Sequence, residues 1–283
     1  MELHNDWRLP TKEELKSLYN QIGTDFKPTP IAETEDYFIA FFDILGFESR
    51  LNSLGLHKMI EKYQLLIDII DKNNAKQEEL KSGKFHGAFW TDEGVPIISY
   101  EIKGAYASDS ILIWAKRKLD GEFIPSDNFL SVCNELICAS IEISLPLRGA
   151  ISMGELCIDE QKGVYLGEAL VDIARMEKRQ NFIGATPCQA FQEQPLQPQY
   201  FLPYKSHLKE LKLSENDLSF GAVLDWPRHW RNTRESDILQ IVTSLSESSE
   251  SDDNVKKKYV NTLKLIQFSE SNSEYWKVPK DVG

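Results

Sequence analysis

The sequence predicts an α/β or α+β sandwich, with helices laid on a sheet. Three observations carry that expectation. Tyr37–Phe47 is a near-continuous apolar and aromatic run interrupted by a single Asp. Apolar residues recur at three- and four-residue intervals in the segments that follow it. Taken in order, the chain reads strand, helix, hairpin, helix, strand, helix and further strands, the alternation of a sheet covered by helices.

The elements follow from the amino terminus. Met1–Asp36 is polar, with one short helical candidate in which Thr11 is the N-cap and Glu14 stands in capping-box position, before Pro28 and Pro30 break the chain. Tyr37–Phe47 reads as a strand buried on both faces, at the centre of a sheet. Leu56, Met59, Ile60, Tyr63, Leu66, Ile67 and Ile70 make the stripe of a helix packed on it. Asn73–Gly87 is a polar connector. Val95–Ala107 and Ile111–Ala115 flank Ser108-Asp109-Ser110, which suggests a hairpin with the Asp at its tip. An amphipathic helix follows over Phe129–Ile143, stopped by Pro146, then a strand over Leu147–Glu155 and a helix over Gly167–Lys178. Beyond the short runs Tyr200–Lys205 and Phe220–Trp226, Ser244–Asn254 reads as a solvated loop and Val255–Phe268 as a terminal amphipathic helix. The resulting division is an amino-terminal extension (1–36), a central domain (37–228) and a carboxy-terminal helical extension (229–283).

Composition narrows the function classes. With 44 Asp+Glu against 32 Lys+Arg, the 283-residue chain carries a net charge of -12. It lacks the basic field that draws proteins to nucleic acid or anionic lipid. The longest apolar stretch is about half the ~20 residues a membrane helix needs, and Met1–Lys16 is too charged for a signal-peptide core. A cytosolic protein with no nucleic-acid or membrane partner is expected. The four cysteines, Cys133, Cys138, Cys157 and Cys188, form no C-x-x-C pair and read as buried reduced thiols.

Two carboxylates stand out by position. Asp43 interrupts the apolar strand, where an unpaired buried carboxylate is prohibitively costly, so it needs a cation. If the hairpin lies beside that strand, Asp109 meets Asp43 at one sheet edge, and the pair repels unless Mg²⁺ or Mn²⁺ lies between them. Taken alone, Asp109 is equally a turn residue; for Asp43 pairing with a buried Arg or Lys is the weaker alternative. Leu45-Gly46-Phe47 leaves the strand for a helix, placing backbone N–H groups and a helix amino end at the same place, a ready anion site. Arg148 is either an ion-pair partner or a phosphate clamp. Lys205 ends an apolar strand. Arg175, Lys178 and Arg179 lie on consecutive turns of one helix, the pattern of a solvated face.

Phe42-Asp43-Ile44-Leu45-Gly46-Phe47, Ser108-Asp109, Leu147-Arg148-Gly149-Ala150-Ile151 and Gly167–Arg175 occur in the order of class III nucleotidyl cyclases. Arg148-Gly-Ala-Ile-Ser-Met-Gly-Glu155, Leu166-Gly-Glu-Ala-Leu-Val-Asp172, Glu177-Lys-Arg-Gln-Asn-Phe182, Leu202-Pro-Tyr-Lys205 and Asp225-Trp-Pro227 further resemble the Pycsar pyrimidine cyclases of bacterial anti-phage defence. The resemblance covers about Tyr37 to Pro227. It implies a ferredoxin-like α+β core and a homodimer with active sites at the interface. It also implies conversion of UTP, or alternatively CTP, to a 3′,5′-cyclic monophosphate read by a separate cyclic-nucleotide effector. Asp43, Asp109 and the Ile44 carbonyl would hold two divalent cations, Mn²⁺ or Mg²⁺. Leu45, Gly46 and Phe47 would give N–H groups to the phosphates, with Arg148 on the phosphates and Lys205 among the substrate contacts. Arg175 would come from the other subunit, and Tyr106 is a candidate for the base pocket. The same alignment places Ala105 at the purine-reading Lys, which disfavours ATP. It places Val171 at the ribose-orienting Asn, or Asp172 after a one-residue shift, so a nucleotide-binding module without turnover is the alternative.

Overall fold

Eleven residues, Thr34–Ile44, form β1 in the middle of the sheet. The computed structural model describes residues 33–81, 100–119, 121–192, 199–204, 221–248 and 253–272. After β1 come helices α1 (Phe47–Leu54) and α2 (Leu56–Lys81), then strands β2 (Lys103–Ala107) and β3 (Ser110–Lys116). A small ribbon, β4 (Lys118–Leu119) with β5 (Glu122–Phe123), leads to α3 (Asp127–Glu142) and β6 (Leu147–Asp159). Next are β7 (Val164–Leu166), α4 (Glu168–Arg179), β8 (Gly184–Pro187) and the short α5 (Gln189–Gln192). Strands β9 (Phe201–Pro203) and β10 (Ala222–Leu224) pair with each other, and α6 (Trp226–Thr233), α7 (Ile238–Ser248) and α8 (Asp253–Ser271) follow.

The main sheet runs β2-β3-β1-β6-β7, with β8 added parallel to β6. Strands β1, β2, β3 and β6 pair antiparallel throughout, and the chain order β1-α2-β2-β3-α3-β6 makes this the ferredoxin-like βαββαβ arrangement. The α+β expectation and the central place of the apolar strand are therefore met.

Because β1 is covered on both faces, its sequence has no polar alternation. Phe38, Ala40, Phe42 and Ile44 join the core beneath α2 and α3, while Tyr37 and Ile39 pack with Ala169, Ile173 and Met176 of α4. Helix α2 differs from expectation in two ways. Its buried stripe is Met59, Leu66 and Ile70, whereas Leu56 and Ile60 are 64% and 54% exposed. It also continues through Asn73 to Lys81 instead of ending in a connector. Ala, Gln, Glu and Lys are good helix formers there, and Asn74 anchors the turn by exchanging two hydrogen bonds with the Ile102 backbone at 2.7 and 3.0 Å.

The carboxy-terminal helices are woven into the same core: Trp226, Trp230, Val242, Leu245, Tyr259, Leu265 and Ile266 are buried in it. Burial of Val242 and Leu245 carries α7 on to Ser248, so the start of the expected Ser244–Asn254 loop is helical. Asp225 caps α6, pairing with Arg228 Nε at 3.1 Å and accepting from Ser269 Oγ of α8, while Trp226 Nε1 donates to the Ile183 carbonyl at 3.0 Å. The four cysteines are buried, and no disulfide joins them. The Thr11 helix candidate and residues 95–99 of the expected first hairpin strand lie outside the described residues.

Gly149 is fixed by crowding. A Cβ there would sit 2.2 Å from the Phe41 carbonyl oxygen and 2.6 Å from Phe42 Cδ1. Gly149→Ala is expected to lower the unfolding free energy by about 1–3 kcal/mol, read from the midpoint of chemical denaturation; an unchanged midpoint would show that β1 and β6 can separate at no cost.

Glu135 of α3 meets His229 Nε2 at 2.9 Å and Arg234 Nη2 at 2.7 Å, pinning the α6–α7 corner. Burial pushes the Glu135 carboxyl up, but the hydrogen bonds and charges of His229 and Arg234 outweigh it and hold the pKa down to about 2, from 4.5. A depressed carboxyl contributes stability above its unfolded pKa that is lost as pH falls through the folded one. Acid unfolding between about pH 4.5 and 2 should therefore be shallower in Glu135→Gln than in the parent, as followed by tryptophan fluorescence.

Candidate active site

Asp43 stands one residue before the end of β1, and the antiparallel registers set it opposite Arg148 of β6 on one side and Ser110 of β3 on the other. The β2–β3 connection is a two-residue turn, Ser108-Asp109, closed by the Ala107–Ser110 pair. Ser108 takes φ 55°, at the first central position of such a turn, which usually goes to glycine. The Ile44 N–H donates to the Asp109 carbonyl at 2.8 Å, tying the hairpin tip to the end of β1. The structure thus brings Asp43, Ile44 and Asp109 to one edge.

Arg148 Nε donates to Asp43 Oδ2 at 2.9 Å, and its Nη2 lies 2.8 Å from Glu177 Oε1. One guanidinium therefore bridges the sheet to α4. Glu177 is 4% exposed, and such a carboxylate survives burial only with a cation beside it. Burial raises the Asp43 carboxyl above its ordinary value, against the hydrogen bond and charge of Arg148; the Asp109 charge raises it further and Lys258 of α8 lowers it.

Past Asp43 the chain turns through Gly46, which is left-handed (φ 72°, ψ 31°) and begins α1 without a side-chain cap. The Leu45 N–H is engaged by the Pro146 carbonyl at 2.9 Å. Of the three expected phosphate donors, Leu45 is therefore committed elsewhere, while Phe47 opens the helix, where first-turn N–H groups have no partner within it. Arg50 holds the turn from behind, donating from Nε to the Leu45 carbonyl at 3.1 Å.

Tyr106 does not join this edge. It faces α2, edge-on to Tyr63 with ring centroids 6.1 Å apart, because it is paired with Ile111 on the opposite face of the sheet from Asp43. Ala105 takes the Asp43 side instead. Arg175 is exposed on α4, where its charge acts on Asp172; no contact among the described residues joins it to Asp43. Lys205 lies outside the described residues. Glu177 and Lys258 were not singled out from sequence. The signal for Glu177 was available, since Ala169, Ile173, Met176 and Glu177 share the inward face of α4. Lys258 carried no such signal, being one Lys of three in a charged run.

The donor set suits a hard divalent cation: two carboxylates that repel each other, with a backbone carbonyl beside them, all oxygen. No group of three or more His, Cys, Asp or Glu able to hold a metal exists among the described residues, so the remaining coordination would come from water and substrate, the usual habit of Mg²⁺. A cavity of about 660 Å³ lies at the Thr34 end of β1 beside Glu35, Lys116 and Glu155, away from Asp43.

No family model and no curated protein matches the sequence. Among solved structures, the catalytic core of a rhodopsin-guanylyl cyclase with converted specificity, in complex with ATPalphaS, is similar at 12% identity and TM-score 0.45, over 68% of this chain and 97% of that one. A bacterial light-regulated adenylyl cyclase gives 13% and 0.44, over 87% and 72%. The guanylyl cyclase Cya2 gives 15% and 0.35, over 69% and 92%. At these values the likenesses assign no activity to this chain, and the fold rests on its own strand order. No helix among the described residues is long and apolar enough to cross a membrane.

Glu177→Gln, which removes one of the two charges on Arg148, should lower the unfolding free energy by about 1–3 kcal/mol in thermal melts. Equal stability would show that Asp43 alone holds Arg148.

Proposed function

We propose that this protein is a nucleotide cyclase that converts UTP to 3′,5′-cyclic UMP and pyrophosphate. The observation that carries the reading is the meeting of Asp43, Asp109 and Arg148 at one edge of a ferredoxin-like sheet, beside the uncapped amino end of α1. Asp43, Asp109 and the Ile44 carbonyl would hold divalent cations, Mn²⁺ or Mg²⁺, which supply charge neutralisation and acidify a bound hydroxyl.

The rest falls to the chain. The amino end of α1, at Gly46 and Phe47, cradles the phosphates with N–H groups and the helix dipole. The ribose 3′-oxygen attacks the α-phosphorus, the bond to the bridging oxygen breaks, pyrophosphate departs and the hydroxyl proton passes to water. Arg148, kept in place by Glu177, meets the charge of the departing pyrophosphate. Positioning and electrostatics provide most of the acceleration.

A homodimer with active sites at its interface accounts for Arg175 lying exposed and apart from Asp43. Val171, 46% exposed on the same helix, and the half-buried Phe41 and Leu112 on the Asp43 face of the sheet support a partner there. Ala105, apolar on that face, supports a pyrimidine over ATP, with CTP to cyclic CMP as the alternative. By resemblance, the cyclic product signals to a separate effector in anti-phage defence, and the protein acts in the cytosol. Val171 favours a second reading, a module that binds nucleotide without turnover, because an apolar side chain cannot orient a ribose hydroxyl.

Purified protein incubated with each of the four NTPs and Mn²⁺ should release pyrophosphate and a cyclic nucleotide from UTP or CTP, and Asp43→Asn or Asp109→Asn should cut the rate about 100-fold or more. Product from ATP alone would overturn the pyrimidine assignment, and nucleotide binding without pyrophosphate release would select the second reading.

A further inference from the structure

Three consecutive peptide units carry the chain from β1 into α1, and backbone bonds fix the outer two. The Leu45 N–H donates to the Pro146 carbonyl at 2.9 Å, and the Gly46 carbonyl accepts from the Arg50 N–H at 3.1 Å. Between them lies the Leu45–Gly46 unit. Its anchor among the described residues is a side chain, Arg50, whose Nε donates to the Leu45 carbonyl at 3.1 Å. Glycine takes either sign of φ at little cost, so Gly46 at φ 72° does not by itself stop this unit from turning over.

In a trans peptide the C=O and N–H point in opposite directions. With the Leu45 carbonyl turned towards Arg50, the Gly46 N–H is turned away from it, and it meets no acceptor among the described residues. Rotation of the unit would exchange the two, putting a carbonyl oxygen where a donor now stands. Arg50 is itself held in place. Its Nη1 donates to the Ser144 carbonyl, and its Nη2 donates at 2.8 Å to the hydroxyl of Tyr259, a fully buried residue of α8. Three acceptors around one planar guanidinium fix its orientation as well as its position.

We propose that Arg50 is a positioning residue of the phosphate site. It acts through the Leu45–Gly46 peptide, which it keeps with the Gly46 N–H facing the bound polyphosphate, and Tyr259 keeps Arg50 in that pose. The assignment rests on the nucleoside-triphosphate reading above, and its test does not depend on turnover.

Full-length protein carrying carbonyl-¹³C leucine and ¹⁵N glycine gives NMR signals from its three Leu-Gly peptides, and the Leu45–Gly46 signal is the one that Leu45→Met removes. Titration with inorganic tripolyphosphate and Mg²⁺ should move that signal. Isothermal titration calorimetry gives the affinity, below the melting transition of each variant as read by circular dichroism. Arg50→Lys, which keeps the charge but not the three-way grip, should weaken binding about 10-fold or more. Tyr259→Phe, which keeps the buried ring and Arg50 itself, should weaken it about threefold. Parent affinity in either variant, an unmoved Leu45–Gly46 signal, or no tripolyphosphate binding by the parent would each overturn the assignment. If tripolyphosphate moves the signal and binds in an Arg50-dependent way but no NTP is cyclised, the cyclase reading falls and the positioning role stands. Cyclisation with both variants at parent affinity gives the reverse.

Discussion

The register between β1 and β6 is the constraint on which the site depends. Eleven antiparallel pairs run from Thr34–Cys157 to Ile44–Leu147, and they set Asp43 against Arg148. Because side chains alternate along a strand, a slip of one residue would send Arg148 to the other face, into the core beneath α2 and α3. Gly149 guards against that slip in one direction, since no side chain fits between it and Phe41. The site is therefore a by-product of sheet packing: the apolar residues on either side of Asp43 hold it still.

The charges at this edge are arranged as a chain and not as isolated pairs. Asp43 shares Arg148 with Glu177, Asp109 raises the cost of ionising Asp43, and Lys258 relieves it. A buried carboxylate next to another would ordinarily be a liability. Here the geometry spreads the cost over β1, the hairpin tip, α4 and α8.

Much of this was legible in the sequence, for physical reasons. The near-continuous apolar run around Asp43 reads as a strand covered on both sides, and a carboxylate inside it demands a cation. Ser108-Asp109-Ser110 between apolar runs suggests a hairpin tip. What was not legible depends on long-range packing. The continuation of α2 past Asn73 relies on Asn74 meeting Ile102. Tyr106 points away from Asp43 because the pairing parity of β2 and β3 decides its face, and a sequence shows that parity only once the register is known. The role of α8 was hidden because an amphipathic pattern does not say what the apolar face covers until Tyr259 is seen beneath Arg50.

The bond between Arg50 and Tyr259 joins residues 209 positions apart. A chain emerging from the ribosome presents the Leu45 turn first, but the guanidinium behind it has no phenol to hold until 209 further residues have been made. Closure across so long a loop is entropically expensive and slow. The edge that gathers Asp43, Asp109 and Arg148 is thus completed only after its sheet has been translated, so a chain terminated before Tyr259 would lack a support of the site.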